Sequence, residues 1–268
     1  MKFADKLLAA GRRNGSLLCV GLDPDPELIA KVSFLEFNKA IVDTTADLVC
    51  AYKPNLAFYE ALGIDGLELL QKTIEHIPGH IPIIGDAKRG DIGNTAKAYA
   101  KALFVNFGFD AATVSPYLGF DSIEPFIEYE DKGVFVLCRT SNPGAVDFQG
   151  LVDAQGIPLY EAVARKAEEW NVQGNIGLVV GATYPEELKL VRRLCPEMPL
   201  LIPGIGAQGG DLASAVKYGV DARGEKAIIA VSRQVIYASR GEDFAEAARR
   251  SAQELRDRIN DLIGRSNR

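Results

Sequence analysis

The chain is 268 residues long, 47% hydrophobic and 25% charged, the proportions of an ordinary globular protein able to bury a substantial core. Its net charge of −6 argues against nonspecific binding to nucleic acid or to an anionic membrane surface, although a local positive pocket could still take an anionic small molecule. The 4 cysteines show no C-x-x-C spacing, Met1–Lys6 lacks the apolar core of a signal peptide, and no uncharged stretch reaches membrane-spanning length, so a soluble cytoplasmic protein is expected.

Short apolar runs alternate with longer helical patterns from end to end. A first strand is expected over Ser16–Leu22, leading into Asp23-Pro24, and a helix over Phe37–Val49. The strand Ala51–Lys53 runs into Pro54-Asn55 and a helix over Tyr59–His76. Next come the strand Ile81–Asp86, a helix over Gly93–Phe107, the strand Ala112–Ser115 and a helix over Ser122–Tyr129. The strand Val134–Cys138 precedes a long polar connection from Arg139 to Pro158 and a helix over Leu159–Asn171. The strands Ile176–Gly181, Leu200–Pro203 and Ala227–Val231 alternate with helices over Pro185–Leu194, Asp211–Tyr218 and Phe244–Ile263. In the last helix Ala248, Leu255, Ile259 and Leu262 recur among Arg, Asp and Glu, marking an amphipathic face.

Eight strand–helix units in a chain of this length match an α/β protein of the (β/α)8 TIM-barrel class, with residues 1–268 forming one domain. A doubly wound open sheet is the competing architecture. Gly204-Ile205-Gly206-Ala207-Gln208-Gly209 fits a dinucleotide fingerprint, but it falls late and lacks the acidic residue expected downstream. In a barrel the site lies at the C-terminal strand ends, which gathers Asp23, Lys53, Asn55, Asp86, Lys88, Ser115, the loop from Arg139, Gly204–Gly210 and Arg233 into one ring.

The most informative segment is Gly85-Asp86-Ala87-Lys88-Arg89-Gly90-Asp91. Strand alternation points Asp86 and Lys88 to the same face, roughly 7 Å apart along the chain, and Asp91 follows past Gly90 in a loop. An inert ion-pair cluster has the same pattern, so D-x-K-x-x-D alone leaves both readings open. If the site is chemical, flanking carboxylates favour the charged form of Lys88, which suits a general acid and not a Schiff-base lysine. Gly204, Gly206 and Gly209 let backbone N–H groups approach a ligand at a helix start, and Arg233 could grip phosphate oxygens. The connection after Arg139 has the length of a lid, with Ser141 and Asn142 able to read a polar ring. His76 and His80 flank a turn at the far end of the third strand, and no metal-ligand cluster is visible.

Asp86–Gly93 resembles the signature of the orotidine 5′-phosphate decarboxylase family, and Gly85–Thr95 is similar to its bacterial type, the type 2 subfamily. Gly21–Pro24, Lys53–Asn55, Ser141–Ala145, Pro203–Asp211 and Ser232–Ala238 fall in the order that family uses. The resemblance implies decarboxylation of orotidine 5′-phosphate to uridine 5′-phosphate in de novo pyrimidine biosynthesis, with neither cofactor nor metal. It implies a homodimer whose active sites are completed across the interface. Lys88 would protonate C6 of the pyrimidine, in a charged array with Asp86, Asp91 and Lys53. Asp91, Ile92 and Thr95 would reach into the partner's site. Asp23 and Lys53 would bind ribose hydroxyls, Ser141 and Pro143 would lie at the substrate, and Gln208 with Arg233 would bind the 5′-phosphate. The connection after Ser141 is longer than in compact members of the family. Two alternatives are a magnesium-dependent sugar-phosphate decarboxylase of the same superfamily and a catalytically inactive nucleotide-binding protein.

Overall fold

Eight strands pair side by side, all in parallel: β1 (Leu18–Leu22), β2 (Ala51–Pro54), β3 (Ile84–Arg89), β4 (Ala111–Val114), β5 (Gly133–Arg139), β6 (Ile176–Val180), β7 (Leu200–Ile202) and β8 (Ala227–Val231). A computed structural model of the chain provides this arrangement and describes residues 1–29, 32–206 and 209–264. The strand order is β2-β1-β8-β7-β6-β5-β4-β3, and the two ends meet through parallel bridges at Tyr52–Ile83 and Asn55–Asp86. The sheet is thus the nearly closed barrel expected from the alternation of strands and helices. β1, β6 and β8 are buried along their whole length, because helices cover the outside while side chains fill the inside. Along β1, Leu18, Val20 and Leu22 join the outer core and Cys19 the inner one. A period-two pattern therefore persists inside an unbroken apolar run.

The helices between the strands keep the expected order with altered boundaries. α1 (Phe3–Arg13) is absent from the expected elements; its Phe3 and Leu7 plug the N-terminal end of the barrel, where Phe3 meets Phe135 edge-on at 5.6 Å. α2 (Phe34–Thr45) starts at a capping box between Ser33 and Glu36. The helix expected over Tyr59–His76 is two, α3 (Leu56–Glu60) and α4 (Gly63–His76), with Asn55 capping the first through Ala57 N–H at 3.2 Å. The helix expected over Gly93–Phe107 becomes α5 (Gly93–Lys101) and then a π-type turn over Ala102–Asn106. α6 (Glu124–Ile127) is a single turn, whereas α7 (Leu159–Trp170), α8 (Pro185–Leu194), α9 (Leu212–Gly219) and α11 (Phe244–Leu262) match their amphipathic patterns closely. A short α10 (Arg233–Ile236) follows β8 directly, too brief to leave a periodic signal. Among the described residues, no helix is long and apolar enough to cross a membrane.

Candidate active site

The C-terminal ends of the strands enclose a cavity of about 430 Å³, a volume suited to a small-molecule ligand. Its base is apolar, formed by Leu137, Val179, Leu201 and Ala230 from β5 to β8. One stretch of the wall carries Asp23, Lys53, Asp86 and Lys88 on or after β1, β2 and β3, and the rest carries Ser141, Gly204 and Arg233 after β5, β7 and β8. Residues far apart in sequence converge here because each follows a parallel strand of the same barrel.

The charged wall is one connected array. Lys53 Nζ donates to Asp86 Oδ2 at 2.8 Å, and Lys88 Nζ donates to Asp86 Oδ1 at 2.6 Å. Thr113 Oγ1 also donates to Asp86 Oδ1, at 3.0 Å. The Lys53 and Asp86 side chains keep only 9% and 11% of their exposure, while Lys88 keeps 49% and faces the open cavity. Burial alone would raise the Asp86 carboxyl, yet the Lys53 and Lys88 ammoniums outweigh it and hold the group well below the usual carboxylate range. Burial would likewise lower the Lys53 ammonium, and the carboxylates of Asp86 and Asp23 instead hold it above its ordinary value. All 4 cysteines are buried and free, and desolvation pushes Cys19, beneath the array, up to about 12. That thiol stays protonated and offers no nucleophile.

Asp86 and Lys88 share a face, as alternation implies, but β3 is not regular there. From Gly85 to Arg89 its pairing advances four residues while β4 advances two, from Ala112 to Val114. Lys88 sits in the bulge at φ +48°, a left-handed conformation uncommon outside glycine.

Asp23 is presented by a loop fastened from two sides. The Tyr59 hydroxyl donates to the Leu22 carbonyl at 2.9 Å, and the Tyr237 hydroxyl donates to the Asp23 carbonyl at 2.9 Å while accepting from Asp25 N–H at 2.6 Å. Asp23 Oδ1 is buried with no hydrogen-bond partner among the described residues, so it is an acceptor available to a ligand hydroxyl. Arg233 opens α10 one turn before Tyr237, exposed at the rim of the cavity. Gly181 follows β6 beside Ser141, and a Cβ there would lie 2.8 Å from the Ser141 backbone, so only glycine admits this approach.

The root of the long connection is built on a buried charge. Arg139, 2% exposed, pairs with Glu187 and stacks over Tyr184 at 3.7 Å. Gln149 returns to this root, accepting from Thr140 N–H at 2.8 Å and donating to Thr140 Oγ1 at 2.9 Å. Residues 141–148 therefore form a tied loop over one side of the cavity.

Several expected site residues lie elsewhere. Asp91 does not pair with Lys88 within the chain; its Oδ1 accepts from Ile92 N–H at 2.8 Å, because the chain turns outward after Gly90. Ile92 is 53% exposed, and with Thr95 at the start of α5 it sits outside the cavity. Ser115 follows the end of β4 and packs by Gly90, and Arg139 is buried behind the wall. Pro143 begins an exposed 3-10 turn over Pro143–Asp147, away from the cavity lining. In the glycine loop Gly204 lines the cavity and Gly206 and Gly209 do not, while Gln208 lies outside the described residues. The helix after this loop does not offer a bare N-terminus to an anion, since Asp211 caps it by accepting from Ser214 N–H at 2.8 Å. Thr113, Thr140, Ser232 and Gln234 line the cavity without having been expected. A lone threonine between Ala112 and Val114 was the available signal for the first, while the others follow strands whose ends are set by tertiary pairing. Among the described residues, no group of three or more His, Cys, Asp or Glu side chains is placed to hold a metal ion.

A family model described as orotidine 5′-phosphate decarboxylase / HUMPS family matches residues 16–250. A curated orotidine 5′-phosphate decarboxylase of Dehalococcoides mccartyi is 58% identical over 264 residues, covering 97% of this chain and 98% of that protein. One from Herpetosiphon aurantiacus is 54% identical over 94% of this chain and 95% of its own. Among solved structures, the OMP decarboxylase of Leishmania donovani superposes with a TM-score of 0.89 at 43% identity, covering 98% of this chain and 100% of that one.

Proposed function

The chain belongs to the orotidine 5′-phosphate decarboxylase / HUMPS family, and from that premise we propose how its charged cavity works. The reaction is decarboxylation of orotidine 5′-phosphate to uridine 5′-phosphate in pyrimidine biosynthesis. Breaking the bond from C6 to the carboxylate leaves the electron pair on C6 and releases CO2. No attached π-system delocalises that pair, so its stabilisation falls to fixed charge. Lys88 holds an ammonium at the cavity, and its proton passes to C6 as the pair develops. An interaction that strengthens only as the carbanion forms lowers the barrier without tightening ground-state binding. The amine left behind regains a proton from solvent, to which the half-exposed side chain has access.

The observation that carries this reading is the Lys53–Asp86–Lys88 array, in which one carboxylate is held between two ammoniums at 2.8 and 2.6 Å. Asp86 stays ionised and keeps the Lys88 ammonium aimed. A substrate carboxylate placed ~4 Å from Asp86 would meet a repulsion of about 4 kcal/mol at intermediate dielectric, relieved as CO2 leaves. Asp23 and Lys53 take the ribose hydroxyls, the orphaned Asp23 oxygen being free to accept one. Ser141 meets the pyrimidine side, and Arg233 with Gln208 and the loop that begins at Gly204 takes the 5′-phosphate.

Asp91, Ile92 and Thr95 complete the site of a second copy in a homodimer. The apolar residues Ile92, Tyr99, Tyr117, Leu118 and Phe120 around α5 are exposed in the single chain and supply a face for that contact. The enzyme is of the type 2 subfamily, acts in the cytoplasm as one barrel domain over residues 1–268, and uses no cofactor.

The test is an ultraviolet assay of purified protein with orotidine 5′-phosphate, with and without chelator. Chelator-insensitive turnover is expected, together with its loss in Lys88→Ala while uridine 5′-phosphate still binds. Turnover retained by Lys88→Ala would remove the proton-donor role, and chelator-sensitive action on a sugar phosphate would replace the substrate.

A further inference from the structure

Thr113 stands in β4, 1% exposed, opposite the bulge that carries Lys88. Its hydroxyl makes two directional contacts. The Lys88 backbone N–H donates to Thr113 Oγ1 at 2.9 Å, and Thr113 Oγ1 donates to Asp86 Oδ1 at 3.0 Å. An amide N–H can only donate, so it occupies an acceptor position of the hydroxyl and leaves the single hydroxyl proton to the carboxylate. Asp86 Oδ1 is the same oxygen that accepts from Lys88 Nζ at 2.6 Å. The backbone and the side-chain tip of Lys88 are therefore tied to one another through Thr113 and Asp86 in a closed ring of hydrogen bonds.

Without such a ring this arrangement is poorly determined. Lys88 adopts φ +48°, which an L-residue with a long side chain disfavours, and strain of this kind persists only where the surroundings over-determine it. Its side chain is half exposed and has four rotatable bonds, so packing alone does not fix the ammonium. The next regular pairing of β3 is at Arg89 with Val114, so the ladder leaves the Lys88 N–H to find a side-chain acceptor.

We propose that Thr113 is a positioning residue for the decarboxylation, its hydroxyl locking the Lys88 bulge and aiming Asp86 Oδ1 at the ammonium. The inference rests on Lys88 being the proton donor. It assigns to a neutral side chain, outside the charged array, the task of keeping that array in register.

The experiment compares Thr113→Val, which keeps the shape and loses the hydroxyl, with Thr113→Ser, which keeps the hydroxyl. In the valine variant kcat is expected to fall roughly ten- to a hundredfold, the effect of losing one hydrogen bond to a charged group. KM and the dissociation constant for uridine 5′-phosphate should stay within about threefold, because ribose and phosphate contacts lie elsewhere. The serine variant should retain kcat, and amide hydrogen exchange at Lys88 should accelerate in the valine variant only. A valine variant with wild-type kcat and an unchanged Lys88 amide overturns the proposal. Equal losses in valine and serine do so too, since they would assign the role to the methyl group. Should valine fail to fold, Thr113→Ala provides the hydroxyl-free arm against the same serine reference. A wild-type protein inactive on orotidine 5′-phosphate would defeat the decarboxylase mechanism, while exchange at the Lys88 amide would still decide the clamp.

Discussion

Lys53→Met removes the cation from the most buried ion pair of the site and keeps the length of the side chain. Lys53 and Asp86 are 2.8 Å apart and retain 9% and 11% of their side-chain exposure, so the carboxylate cannot recruit water freely once its partner is gone. Stranding one member of a buried pair costs about 3–5 kcal/mol. Here Asp86 Oδ1 keeps Lys88 and Thr113, and only Oδ2 loses its donor, which places the loss near the lower bound, at about 3 kcal/mol. Urea unfolding at fixed protein concentration, followed by fluorescence of the single tryptophan, Trp170, measures it. Adding Asp86→Asn removes the stranded charge and should recover about half of the loss, as a coupled pair requires. The pH dependence has a definite sign. The folded Asp86 carboxyl is depressed, so its contribution to stability is present above the unfolded value near ~3.9 and lost as pH falls below that, through the folded value. Without Lys53 the carboxyl rises, so the deficit of the variant should be largest near neutrality and shrink toward acid, where protonation removes the stranded charge. The folded Lys53 ammonium is raised, so its own contribution is constant across this acid range. Losses that simply add in the double variant, or a deficit that persists unchanged as pH falls through and below the ordinary carboxylate range, would refute the argument.

Arg233→Ala should weaken uridine 5′-phosphate roughly ten- to a hundredfold while leaving uridine itself unaffected, since the guanidinium is expected to grip only the phosphate. Isothermal titration with both ligands checks this, and equal losses for the two would misplace the phosphate site. Gly181→Ala puts a methyl 2.8 Å from the Ser141 backbone and must displace that loop; kcat/KM should fall on the order of tenfold even where the melting temperature moves little. Unchanged kinetics would remove Ser141 from the substrate contacts.

Much of the site was legible because its charges are spaced locally. Asp86 and Lys88 lie two apart on one strand, and any extended backbone brings them to one face. That they flank a reacting ring, and not merely each other, is what the resemblance of five further segments in register with the same family implies. The direction of Asp91 was not legible, because the turn after Gly90 sets its carboxylate on Ile92 N–H and not on Lys88 of the same chain, and no near-neighbour pattern encodes that direction. The cap at the start of α9 was likewise not legible, since Asp211 accepts from Ser214 N–H only once the helix boundary is set.

The sequence by itself determined a parallel α/β fold of eight strand–helix units, since unbroken apolar strands alternating with amphipathic helices must bury both faces of a parallel sheet, whereas its closure into a barrel is decided by the bridges from β2 to β3. It also determined the identity of the charged groups. Only the tertiary structure decided that Lys53 and Lys88 would bind opposite oxygens of Asp86, that β3 would bulge to present the second lysine, and that Thr113 would meet it from the next strand. Periodicity reflects neighbours a few residues away, whereas the register between β3 and β4 depends on how the whole barrel closes, and a shift of two residues there leaves the local pattern untouched.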